Sequence, residues 1–198
     1  MTTGDPFERL VRAAGQSRAS SDFDLVPDLR PKNRALRDAA VLVGFEAQER
    51  GLRLYLTKRS SGLKHHPGQI AFPGGKIDAG DRDAPAAAIR EAWEEIGLPP
   101  ECVEVLGCLA PHETVTGFSV TPVLGRINGR FTPKPEMGEV DEVFTVPFEH
   151  IADPANYIVE SRFFRGVRRQ FYAVPYGPCY IWGATARILR GLADGLAA

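Results

Sequence analysis

Cysteine is scarce: Cys102, Cys108 and Cys179 are the only ones in 198 residues, and no two stand at CxxC spacing. An odd count without that spacing excludes a disulfide framework and a zinc site, and reads the three as small apolar core residues. Net charge is nearly absent too, with 24 Lys and Arg against 25 Asp and Glu. That balance gives no field to draw the chain to nucleic acid or to a membrane, so any anion site must be local. Long apolar runs are missing although hydrophobic residues make up 43%, and no membrane span is expected. The opening MTTGDPFERL lacks the basic and apolar regions of a secretory leader, which makes a cytoplasmic location the expectation. Internal repeats and low-complexity segments are absent as well. What remains is the composition of one globular domain.

Residues 1–35 read as a short amphipathic helix, marked by Phe7, Leu10 and Val11, followed by an irregular polar arm. Residues 36–198 form the body of the domain. AAVLVGF (39–45) and LRLYLTKR (52–59) flank the polar turn EAQERG and predict a hairpin, and IAF (70–72) predicts a short strand. Ile89, Ala92, Trp93 and Ile96 share one side at helical spacing, and Gly97 with the following prolines stops a helix over 84–96. VEVLGCL, FSVTPVLGRI, VDEVFTVPF and RQFYAVPY predict further strands, and IWGATARILRGLADGL a closing helix. Strands, helix, strands, helix is the order of an α+β fold in which helices cover a mixed sheet.

Chemistry concentrates in one stretch, FPGGKIDAGDRDAPAAAIREAWEEIGL (72–98). At about 100° per residue Glu91, Glu94 and Glu95 fall within roughly 100° of one another, on the side opposite the apolar residues. Like charges so close repel, and a divalent cation converts the repulsion into coordination. Hard ions such as Mg²⁺ prefer carboxylate oxygens and share phosphate oxygens with a substrate. A glutamate run alone is more often a solvated face. Here Gly74 and Gly75 allow close backbone approach, and Arg90 stands beside the carboxylates with a guanidinium fork able to orient one of them.

This stretch resembles a Nudix box: a Gly, five residues, Glu, seven residues, Arg-Glu, an apolar residue, any residue, Glu-Glu, any residue, Gly and an apolar residue. REAWEEIGL matches the second half completely. The first half departs, with Asp81 in place of the first Glu and one extra residue before Arg90. That variant is similar to the coenzyme A pyrophosphatase branch. LTKRSSGLKHHPGQIAFPGG (56–75), TVTGFSVTPVLG (114–125) and YIWGATARIL (180–189) are also similar to stretches of that branch.

The resemblance implies an α/β/α sandwich with a catalytic loop-helix-loop, and Mg²⁺- or Mn²⁺-dependent hydrolysis of a nucleoside diphosphate derivative. Coenzyme A or its acyl forms are the implied substrates, giving 3′,5′-ADP and (acyl-)4′-phosphopantetheine. ADP-ribose or another nucleoside diphosphate derivative is the alternative, and a non-catalytic nucleotide-binding module the second. Carried over by residue, Glu91 and Glu95 are metal ligands, Glu94 completes or bridges the cluster, and the Gly75 carbonyl adds an oxygen. The catalytic base is a box glutamate or one of Glu139 and Glu142. Asp81 caps the helix or orients Arg90. Lys58, Arg59, Lys64, His65 and His66, with Gly74, are placed to bind substrate. Arg162, Arg165, Arg168 and Arg169 either meet a further phosphate or decorate a hairpin. Tyr157, Phe163, Phe164 and Tyr172 have the chemistry to stack on a base, although aromatics at such spacing are more often core. No nucleic-acid or membrane partner is expected, and a homodimer is left open.

Overall fold

The computed structural model describes residues 5–64, 66–164 and 166–198. Helix α1 (Pro6–Gly15) starts at Asp5, whose carboxylate accepts the Phe7 N–H at 2.9 Å. Strand β1 (Ser20–Ser21) opens the arm, and the hairpin of β2 (Arg37–Gln48) and β3 (Gly51–Arg59) follows. Short strands β4 (Ile70–Ala71) and β5 (Gly74–Lys76) lead into α2 (Ala84–Ile96). Then come β6 (Val103–Cys108), β7 (His112–Glu113), β8 (Phe118–Ile127), β9 (Val140–Pro147) and α3 (Phe148–Ala152). A three-stranded sheet of β10 (Ile158–Phe164), β11 (Val167–Tyr176) and β12 (Cys179–Trp182) precedes α4 (Ala184–Ala197).

The main sheet is mixed. β2 lies parallel to β8 over ten residue pairs from Arg37↔Phe118 to Glu46↔Ile127, and antiparallel to β3. Alternation along the central strands divides the core in two. Ala40 and Leu42 of β2 and Tyr55 of β3 pack with Ala87, Ala88, Ala92 and Ile96 of α2. Val43 and Phe45, with Leu52, Leu54 and Leu56, point the other way, into a cluster with Leu10 of α1, Ile151 of α3, and Leu189 and Leu192 of α4. Helices therefore cover both faces, the α/β/α arrangement expected.

β2 changes partner along its length. Phe45–Gln48 pairs with β3, whereas Ala39–Val41 pairs with β5 on the same side. Leu42 N–H donates to Pro73 O at 2.8 Å just where the partners change. The fork holds Gly74 and Gly75 against the central strand, beneath α2.

The arm is pinned by a buried histidine. His112 shares a hydrogen bond of 2.9 Å between Nδ1 and Ser20 Oγ, and its Nε2 stands 3.2 Å from Asp22 Oδ1. Asp22 Oδ2 accepts the Val115 N–H at 2.7 Å.

Several local expectations need correction. Trp93 is 51% exposed, and the face of α2 that meets the sheet is Ala87, Ala88, Ala92, Glu95 and Ile96. The closing helix begins at Ala184, because Ile181 and Trp182 finish β12. The cysteines are unpaired as expected, but none is core: Cys108 is exposed and the other two are half-buried. Strands β5 and β10 come in addition to those expected: Gly-Gly-Lys disfavours strand locally and forms it only by pairing, whereas in IVESRFF the strand-favouring Ile, Val and Phe residues are interrupted by Glu160 and Arg162. Among the described residues no helix is long and apolar enough to cross a membrane.

Candidate active site

Helix α2 is built to present its carboxylates at a fixed height over the fork. Asp83 caps it by accepting the Ala86 N–H at 2.8 Å, and Pro85 sits in its first turn. Gly97, at φ 68°, ends it with Gly97 N–H on Trp93 O and Leu98 N–H on Ala92 O. A strap across the C-terminus satisfies two further carbonyls: Glu136 N–H donates to Glu95 O and Lys134 N–H to Ile96 O, each at 2.9 Å.

Glu95 points into the fold and is only 6% exposed. Its Oε2 accepts the Gly74 N–H at 3.0 Å. Burial pushes its pKa up to about 7, against the pull of that N–H and of Arg59 and with the repulsion of Glu91 and Glu139. Glu91 lies one turn earlier, its carboxylate against the open side of Gly75. A Cβ at Gly75 would stand 2.5 to 2.6 Å from the Glu91 carboxyl atoms. Burial raises the Glu91 pKa as well, although Arg90 lowers it.

Arg90 is the hub. Its Nε donates to Asp81 Oδ1 at 3.0 Å and its Nη2 to Asp81 Oδ2 at 2.9 Å, a forked pair. Nη1 donates to Glu91 Oε1 at 3.0 Å and to Glu94 Oε2 at 2.9 Å, and Nη2 reaches Lys76 O at 3.2 Å. Asp81 is itself held by the Asp78 N–H at 2.8 Å, and Arg90 keeps its carboxyl below the ordinary range. Of the two roles expected for Asp81, the structure shows the orientation of Arg90, and Asp83 takes the cap. Asp81→Ala should free the guanidinium to close on Glu91 and lower turnover about tenfold to a hundredfold with the fold intact. Steady-state rates across a metal titration check this.

The other expected residues separate. Glu94 is 54% exposed at its side chain and turns to Arg90, so it does not complete a cluster with Glu91 and Glu95. Its place at the edge of the helix's buried arc puts it beside the guanidinium instead. Glu139 follows the strap, its carbonyl accepting the Ser60 N–H at 2.8 Å, and its charge is felt by both Glu91 and Glu95. Glu142 is exposed and sits in register opposite Lys58, near Cys179. Of the two late carboxylates Glu139 therefore stands with the glutamates. Arg59 is the basic residue whose charge reaches Glu95; Lys58 and Lys64 are exposed, and His66 turns a left-handed corner at φ 54°. His65 and Arg165 lie outside the described residues, as does the side chain of Phe164. Arg162, Arg168 and Arg169 belong to the β10–β11 hairpin. Tyr157 is core, whereas Phe163 is exposed.

Sequence reading missed Asp78 and the Lys134–Glu136 strap. The DAGD spacing carried the signal for the first, an Asp whose neighbours form a tight turn. Among the described residues no three His, Cys, Asp or Glu side chains converge closely enough to hold an ion unaided. The donor chemistry nevertheless fits a hard cation. Two carboxylates bear on a glycine bend, and such an ion fills the rest of its shell with water and phosphate oxygens.

A model of the NUDIX domain matches residues 35–166. Over 174 residues the chain is 40% identical to an uncharacterized Nudix hydrolase, NudL, of Citrobacter koseri, covering 87% of this chain and 90% of the relative. It is 42% identical over 171 residues to NudL of Enterobacter sp. strain 638, covering 83% and 88%. Among solved structures, the Nudix hydrolase RenU of M. smegmatis superposes with TM-score 0.50 at 25% identity, over 60% of this chain and 74% of that one. A MutT/nudix family protein from Enterococcus faecalis matches in fold, with TM-score 0.51 at 14% identity over 99% of this chain and 76% of its own. With the glycine bend, the carboxylate helix and the matched domain coinciding, the chain belongs to the Nudix hydrolases, enzymes that cleave pyrophosphate bonds in nucleoside diphosphate derivatives.

Proposed function

We propose that this Nudix hydrolase acts on coenzyme A or its acyl derivatives, with Mg²⁺ or Mn²⁺. Water adds to one phosphorus and the bridging P–O bond breaks, giving 3′,5′-ADP and (acyl-)4′-phosphopantetheine. The observation that carries the reading is the segment 56–75, LTKRSSGLKHHPGQIAFPGG, which runs from the end of β3 through β4 to the glycine bend and is similar throughout to the coenzyme A branch. Its Arg59 stands near enough for Glu95 to feel its charge.

Nudix hydrolases use divalent metal ions, which neutralise the phosphate oxygens and acidify a bound water. Glu91, Glu95 and the Gly75 carbonyl are the proposed ligands. Arg90 holds Glu91 in place from behind, and Asp81 holds Arg90. Glu139, Glu91 and Glu94 are the carboxylates from which the proton acceptor is drawn, and Glu139 enters from a separate segment. Arg59, Lys58, Lys64 and His66 are the proposed partners of the substrate phosphates, their cationic and N–H groups suited to phosphate oxygens. Gly74, also expected to bind substrate, turns its open side to the backbone of β2 and its N–H to Glu95.

Purified protein assayed against coenzyme A, acetyl-coenzyme A, ADP-ribose and dinucleoside polyphosphates is expected to turn over the coenzyme A group fastest. ADP-ribose turnover far above coenzyme A overturns the substrate, and no turnover of any diphosphate favours a binding module. Without substrate, Mg²⁺ or Mn²⁺ at about a hundred times its Kd should stabilise the fold by about 2.7 kcal/mol. In Glu91→Gln this thermal shift should largely vanish. An equal shift in the variant would remove Glu91 from the ligand set.

A further inference from the structure

The second sheet ends on an unprotected strand. Gly183 N–H donates to Tyr172 O at 3.1 Å, so the even residues of β11 turn their backbone groups toward β12 and the odd residues toward β10. The β10 residues opposite the odd positions are Ile158, Glu160 and Arg162, paired with Ala173, Phe171 and Arg169. Val159, Ser161 and Phe163 therefore aim their N–H and C=O groups away from β11, and among the described residues no strand meets them. An edge of this kind is normally blunted by a proline, a bulge or inward charge. β10 has no proline and no bulge, its only charges, Glu160 and Arg162, are of opposite sign, and it exposes Val159 by 51% and Phe163 by 78%.

The strand is also complementary to itself. Laid antiparallel on a second β10 about a twofold axis at Ser161, Glu160 falls opposite Arg162 of the second copy, and Val159 opposite its Phe163. Each pair occurs twice. The Ser161 pair exchanges both of its backbone hydrogen bonds, and the Val159 and Phe163 pairs do the same. Glu160 and Arg162 meet at the intervening closely spaced positions, where Cα atoms approach to about 4.5 Å. Both side chains are already set on one face: Glu160 accepts the Tyr180 hydroxyl at 2.6 Å, and Arg162 lies over Phe171, Tyr180 and Trp182.

We propose that β10 is a dimerisation edge on which a second copy of this chain adds its own β10 antiparallel, centred on Ser161. The pairing joins two three-stranded sheets into one of six strands and stands independently of the substrate reading. Sedimentation equilibrium on the full chain should show reversible monomer–dimer association. Glu160→Arg and Arg162→Glu each place two like-charge pairs across the axis and should weaken the dimer about tenfold or more. The double exchange E160R/R162E should restore it. Ser161→Pro removes an N–H that only the second copy uses, and should give a monomer whose far-ultraviolet circular dichroism is that of the wild type. A wild-type chain still monomeric at roughly 1 mM overturns the proposal. So does a dimer indifferent to the single exchanges, or a double exchange that dissociates as they do.

Discussion

Glu95→Gln is expected to lower turnover about a hundredfold or more while making the metal-free protein more stable at neutral pH. Loss of rate follows from removing one of two carboxylates held at the glycine bend. Gain of stability follows from burial: Glu95 is 6% exposed and its pKa is pushed from 4.5 to about 7. Below the lower value both folded and unfolded chains carry the proton, and the residue costs nothing. As pH rises the unfolded chain releases its proton first, so stability falls between pH 4.5 and about 7 and stays lower above it. That separation corresponds to about 3 kcal/mol. Glutamine is always neutral and still accepts the Gly74 N–H. Urea unfolding of both proteins in chelator at pH 4.5 and pH 8 should show curves that diverge toward the higher pH. Parallel curves would mean that Glu95 ionises without penalty, and an unchanged rate with background activity excluded would remove it from the metal site.

Gly74→Ala is expected to cost the fold about 3 kcal/mol or more. Gly74 sits at φ 153°, and a Cβ there would strike Ala40 O and stand 2.6 Å from Val41 Cα. Both obstructing atoms are backbone of β2, which is paired on its other side with β8 and has no room to yield. Gly75→Ala makes the contrast. The three atoms nearest its added methyl are all at the end of the Glu91 side chain, which can swing aside. Thermal unfolding should therefore separate the two neighbours, a large drop for the first and a small one for the second, while turnover falls in both. Equal unfolding temperatures for Gly74→Ala and the wild type would show that the fork is soft.

Where local chemistry decides an element, the sequence was sufficient. Helix 84–96 is legible to the residue because Asp83, Pro85 and Gly97 act within a few positions of its ends. The hairpin flanking EAQERG is equally local. Which face of the helix is buried was not legible, since an alanine stripe carries less apolar signal than Trp93 and a buried carboxylate reads as a surface one. Ala88, Ala92 and Glu95 meet the sheet because small side chains let α2 approach β2 closely, a matter of tertiary packing. The same holds for the site. Motif spacing named Arg90, Glu91 and Glu95, but only the fold could bring the charge of Glu139 to Glu91 and Glu95, or Asp78 and Lys76 O to the same guanidinium. Strand β10 is hidden by composition of another kind: Glu160 and Arg162 break its apolar alternation, although its Ile, Val and Phe favour a strand.

The fork in β2 also governs motion. One strand pairs with the glycine bend and bears Ala40 and Leu42, on which the carboxylate helix rests, so both parts of the site share one support. That support is locked by ten residue pairs to β8 on its other edge, so motions of the outer hairpins reach the site only by parting β5 or α2 from β2. Under native conditions the Leu42 and Gly74 amides should thus trade their hydrogens for deuterium slowly, long after those of the exposed Gly129 and Arg130 have equilibrated.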